Sequence, residues 1–218
     1  MNNTSSIITI GREYGSGGRQ IGKEIANYFG IKYYDKELLE HAANDSGICK
    51  ELFEHHDEKP TNSFLYSLVM DTYSFGYSSA GFSDMPMNHK IFLAQFDAIK
   101  KLAGEGPCVM VGRCADYALA DWKDCFSVFV HADFDWRINR IAAKYNKTPK
   151  EARDIITKTD KSRASYYNYY TNKNGDLPRA TISALTAAST ESTIPSKRLS
   201  NLLKFLIQQK HLVKATYS

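Results

Sequence analysis

The chain has 218 residues, 43% hydrophobic and 24% charged, with a formal net charge of +4. That length and composition suit a globular chain with a sizeable core. The mild positive balance argues against nucleic-acid binding, which shows a stronger and more clustered excess, and fits small anionic ligands. The four cysteines, Cys49, Cys108, Cys114 and Cys125, form no CxxC pair and lack zinc spacing. No apolar run approaches a membrane span, so a reduced cytoplasm is the expected compartment, with no membrane partner.

Elements follow from the pattern in chain order. Ile7–Ile10 is a β-branched strand, and residues 21–29 form a helix with Ile21, Ile25, Tyr28 and Phe29 on one face and Gly30 as its C-cap. Residues 31–34 read as a second strand, and Asp35 caps a helix to about Ala43. Residues 44–87, polar and aromatic, are expected as short helices and a loop. Residues 88–102 form a helix with Ile91, Phe92, Ala94, Gln95, Ile99 and Leu102 inward. Strands at 107–111 and 125–130 bracket a brief helix at 115–120. Asp133 caps a helix to about Tyr145, a basic helix fills 149–170, a fifth strand is expected within 180–188, and a closing helix at 195–209. Strands alternating with helices predict a parallel sheet covered on both faces.

The densest signal is Gly11-Arg-Glu-Tyr-Gly15-Ser-Gly17-Gly18-Arg19, between the first strand and its helix. Glycines there allow a tight turn that aims backbone N–H groups at a ligand, and the helix adds its positive end. Phosphate suits such a site, and Gly15, Ser16, Gly17, Gly18, Arg19 and Gln20 are its candidate residues. Against the Walker pattern G-x-x-x-x-G-K-[ST], Gly18 stands at the lysine and Gln20 in the Ser/Thr region. Arg19 is then the replacement cation. Ser16 or a water would serve a metal.

The runs ITIGREYGSGGRQIG, YYDKELLEHAA, VMVGRCADYAL, FVHADFDWRINRIA and TDKSRASYYNYYT resemble, in that order over most of residues 6–172, the cytidylate-kinase-like family. The resemblance implies a three-layer α/β fold of the P-loop NTPase type with a parallel, roughly five-stranded sheet. In it 44–87 is an acceptor-side insertion and 147–172 a helical lid, in one domain over 1–218. It also implies ATP and Mg²⁺ as co-substrate and metal, and a nucleoside monophosphate acceptor, CMP or dCMP first. The metal ligands and oligomeric state are left unknown.

Further candidates sit at strand ends. Asp35 and Lys36 are either acceptor-site residues or a helix cap and an exposed lysine. Arg113 follows the third strand, where ligands of open α/β sheets bind, and would hold an acceptor phosphate or pair with Asp116 or Asp121. Related kinases have Gly-Arg-Asp there; this chain has Gly112-Arg113-Cys114, and Asp116 is the candidate to supply the carboxylate. Arg137 and Arg140 share a helix face and either flank ATP or are solvated charges. Lys161 and Arg163 match the family pattern D-K-x-R and are the candidate lid cations, catalytic together with Arg19. The tyrosines at 166, 167, 169 and 170 are expected to pack the lid. Two other readings stay open: a kinase for another small molecule, and a nucleotide-binding regulatory protein that has lost catalysis.

Overall fold

The computed structural model describes residues 6–48, 50–52, 87–171 and 180–183. The expectations for most of 44–87 and for a closing helix at 195–209 fall outside these residues. Five strands form one parallel sheet in the order β2-β3-β1-β4-β5. They are β1 (Ile7–Arg12), β2 (Lys32–Tyr34), β3 (Cys108–Val111), β4 (Cys125–His131) and β5 (Ala180–Ser183).

Helices cover both faces, as βαβ connections require. The face packed by α1 (Gly18–Phe29) joins Ile8 and Ile10 of β1 to Ile21, Ile25 and Phe29, with Val109, Val111, Val128 and Val130 alongside. The opposite face buries Ile7, Cys108 and Met110 under α2 (Glu37–Ser46), α3 (Met87–Gly104) and α4 (Ala115–Ala118). Alternation along β1 thus feeds two cores. Tyr28 departs from the sequence reading: it is exposed, and Ala26 takes the inward place.

Two more helices pack beside the sheet. α5 (Phe134–Tyr145) starts at the expected cap, where Asp133 Oδ1 accepts from the Trp136 N–H at 3.0 Å. α6 (Pro149–Thr171) is one continuous helix. Its first half buries Ala152 and Ile156 against Ile138 and Ile141 of α5. Its second half buries Tyr166 and Tyr170 against Phe92 of α3, and the Phe92 and Tyr170 rings stack at 4.0 Å. The four tyrosines pack as expected, but a lid made of this helix would have to shed those contacts to open. No described helix is long and apolar enough to cross a membrane.

Register places the carboxyl ends of β1, β3 and β4 together, with Ile10 opposite Val111 and Arg12 opposite Val130. Every candidate residue hangs from this edge or from the helices above it.

Candidate functional site

The glycine-rich loop runs from the end of β1 into α1. Gly15 and Gly17 have φ of 81° and 88°, a region that favours glycine, and Gly17 is the N-cap of α1. The cap has no side-chain hydrogen bond, so it leaves N–H groups at the helix start for an anion. Ser16 is buried, and its hydroxyl donates to the Glu13 carbonyl at 2.9 Å. That bond shapes the loop and leaves the lone pairs of the hydroxyl oxygen uncommitted.

The loop opens into a cavity of about 510 Å³ lined by Gly15, Gly17, Gly18, Arg19 and Gln20. Arg12, Lys23, Lys36, Arg140, Lys144 and Arg163 also face it, against the carboxylates of Glu13, Asp35 and Glu37. Seven cations against three carboxylates give a net positive pocket suited to a multiply charged anion. Gln20 accepts from Arg140 Nη2 at 3.1 Å and donates to Glu24 at 3.0 Å, so the residue in the Ser/Thr region is held within the helix surface.

A second cavity, of about 290 Å³, lies over the carboxyl ends of β1, β3 and β4. Arg113, Asp116, Phe129, Tyr166, Tyr167 and Asn168 line it. Asp116 accepts from the Tyr167 hydroxyl at 2.6 Å. Arg12, Glu13 and Arg163 line both cavities. Lys161 is exposed and is not among the residues lining either.

Asp35 does not cap α2 with its side chain. Lys36 is the N-cap, and the Asp35 carboxylate turns instead to two arginines. Arg19 Nε lies 2.6 Å from Oδ2, and Arg113 Nη1 lies 3.3 Å from Oδ1. Arg113 Nη1 also donates to the Asp35 carbonyl at 2.7 Å and to the Val111 carbonyl at 3.2 Å. Gly112, Arg113 and Cys114 all have positive φ, at 77°, 55° and 56°. For the two non-glycines this conformation is strained, by about 1–3 kcal/mol each. The turn buries Arg113 to 3% exposure and joins β3 to the Asp35 edge. An Arg113–Asp35 pair stands where the sequence suggested Asp116 or Asp121.

Arg137 is also buried. Its Nη1 meets Asp160 Oδ2 at 2.5 Å and donates to the Tyr14 carbonyl at 3.2 Å, and its Nε lies 3.4 Å from Glu13 Oε2. Asp160 Oδ1 in turn accepts from the Tyr14 N–H at 2.6 Å. Arg163 lies over the Tyr14 ring, 5.5 Å from its centre. Burial and a hydrogen bond with Tyr145 raise the Tyr14 phenol to about 12, so it stays neutral. Arg137 thus holds the loop rather than facing outward as a solvated charge. Glu13, Asp160 and Arg12 were missed in the sequence. A loop-adjacent charge in a chain lacking the Walker lysine was the available signal for Arg12, and the acidic position of the D-K-x-R pattern was the signal for Asp160.

The profile of the cytidylate kinase-like family matches residues 7–180. The chain belongs to that family. It stands with it among the kinase-type phosphotransferases. This cytidylate kinase-like chain is similar to the solved structure of an uncharacterized protein from Eubacterium ventriosum ATCC 27560. The two are 28% identical, with a TM-score of 0.66, over 94% of this chain and 99% of that one. It is also similar to shikimate kinase from Bacteroides thetaiotaomicron, at 15% identity and a TM-score of 0.51, over 92% and 98% of the two chains. That second likeness shows the fold alone. No curated protein matches the chain.

Proposed function

We propose that this protein is an ATP-dependent nucleotide kinase that moves the γ-phosphoryl group of ATP to a nucleoside monophosphate, CMP or dCMP first among them. The observation that carries the reading is the common wall of the two cavities, made by Arg12, Glu13 and Arg163. Donor phosphates in the loop cavity and an acceptor in the strand-end cavity would meet there.

The residues fit ATP. Two left-handed glycines, an uncapped helix start and an excess of cations are the chemistry of a phosphate cradle. Among the described residues no group of three or more His, Cys, Asp or Glu could hold a metal. Magnesium commonly binds through phosphates, waters and one or two carboxylates, and Glu13, which lines both cavities, would be the residue to assist it. When bound, the ion neutralises charge on the β- and γ-phosphates.

The chain's own residues supply positioning and charge, which is what phosphoryl transfer needs. The amides of Gly15 to Arg19 bind the donor. Arg163, on the common wall, stabilises charge on the transferring group. Arg137 and Asp160 hold the loop in shape. Phe129, Tyr166 and Tyr167 form an apolar wall for the acceptor's base, with Asp116 and Asn168 at its polar edge. Arg113 holds the Asp35 edge, and Lys36 and Arg19 add charge at the rim. Lys161 is exposed, lines neither cavity, and would reach the site only from the helix surface.

The glycine at 18 and the glutamine at 20 favour a second reading, a regulatory protein that binds nucleotide without turnover. An ADP-release assay with MgATP and a panel of nucleoside monophosphates and small hydroxylated acceptors separates the readings. ADP formation strongest with CMP or dCMP supports the first. ATP binding without ADP formation from any acceptor supports the second.

A further inference from the structure

A Walker loop carries its lysine where this chain has Gly18, and the geometry gives a steric reason for the glycine. A Cβ on Gly18 would lie 2.7 Å from Arg12 Cβ and 3.2 Å from Arg12 Cγ. Real Cβ atoms essentially never come within 3.0 Å of a neighbour. The Arg12 stem therefore runs across the first turn of α1, through the space that a side chain at 18 would need. Arg12 is the last residue of β1 and is half-buried. With Glu13 and Arg163 it lines both cavities, whereas Arg19 lines only the loop cavity. Arg19 is also exposed, at 51% for its side chain, and engaged by Asp35.

We propose that Arg12 is the phosphate-contacting cation of this loop. It delivers from the strand side the charge that a Walker lysine delivers from the helix side. The ligand class is the β- and γ-phosphates of a nucleoside triphosphate, and the proposal rests on the phosphoryl-transfer reading. A guanidinium suits the place, because its planar fork pairs two phosphate oxygens where an ammonium is a point charge. Arg12 and Gly18 are then one arrangement: either residue 18 carries the cation or residue 12 does.

The test begins with Arg12→Met, which keeps an aliphatic stem over Gly18 and removes the charge. Thermal unfolding checks the fold, and Arg12→Gln replaces it should the methionine variant not fold. Turnover is expected to fall by about 100- to 1,000-fold, the cost of losing one preorganised donor. ADP affinity is expected to fall by about tenfold or more, the loss of a hydrogen bond to a charged group. Adenosine affinity stays unchanged. Gly18→Lys alone lowers turnover through the clash, and the Arg12→Gly, Gly18→Lys double variant recovers well above Arg12→Met. The proposal is overturned if a folded Arg12→Met keeps turnover and ADP affinity within about twofold of wild type, or if the double variant is no better than Arg12→Met. Should wild type turn over no acceptor, the kinase reading falls alone, and the comparison of ADP with adenosine still decides on Arg12. Should wild type bind no ADP, both fall.

Discussion

Arg19 Nε and Asp35 Oδ2 lie 2.6 Å apart, and the same carboxylate reaches the buried Arg113 through its other oxygen at 3.3 Å. One acidic residue thus ties the phosphate loop to the end of β3. The partners differ in kind: the Arg19 side chain is 51% exposed and the Arg113 side chain 1%.

That difference predicts unequal losses. Replacing Asp35 with Ala removes the carboxylate partner of a buried guanidinium while leaving the two carbonyls it donates to, and breaking a buried pair costs about 3 kcal/mol or more. Urea denaturation should show a loss of that order. A loss under about 1 kcal/mol would mean that water reaches Arg113.

Arg19→Ala removes a solvent-screened charge, worth about 1 kcal/mol or less. The expected fall in kcat/KM is about fivefold, well short of that for Arg12→Met. A fall of a hundredfold would return the main loop charge to Arg19.

The loop needs its left-handed glycines. A Cβ on Gly15 would lie 3.1 Å from Ile141 Cγ1, on top of a φ of 81°. Gly15→Ala and Gly17→Val should each cost about 1–3 kcal/mol in backbone strain and weaken ATP binding measured by calorimetry. Wild-type affinity in either variant would place the phosphates elsewhere.

Helix α6 is packed at both ends and bonded to Tyr14 through Asp160 between them. Without ligand, amides of 152–170 should exchange hydrogen about as slowly as those of α1. Asp160→Asn should speed exchange at 13–17 while the sheet stays protected. Fast exchange throughout α6 in wild type would support a mobile lid.

His89 gives a pH test. Burial pushes its imidazole below the ordinary value, and Nε2 sits 2.9 Å from the Tyr169 hydroxyl. The unfolded chain takes up the proton near pH ~6.5, before the folded one does. Its contribution to stability is therefore full above that pH and declines as the pH drops below it. The urea midpoint should fall between pH 7 and 5.5, less steeply in His89→Gln. Equal slopes in both proteins would contradict this.

Much of the fold was legible because local signals agreed with it. The β-branched run at 7–10, the glycines after it, the Asp133 cap and the apolar 125–130 run each became the expected element. The strand order was not legible, since β1 pairs with β3 and β4 rather than with β2. Asp35 looked like a cap because capping is a local rule, while its arginines come from α1 and the turn after β3. Asp160 stood in the D-K-x-R pattern, but its role was hidden because its partner Tyr14 lies 146 residues away. Arg12 was hidden for a different reason: its meaning depends on the direction of its stem over Gly18.

The most direct measurement is ³¹P NMR of the protein incubated with MgATP and CMP. Phosphoryl transfer predicts ADP and CDP resonances growing in equal amounts, with no inorganic phosphate. ATP that stays intact while bound, or ADP appearing only with inorganic phosphate, would contradict it.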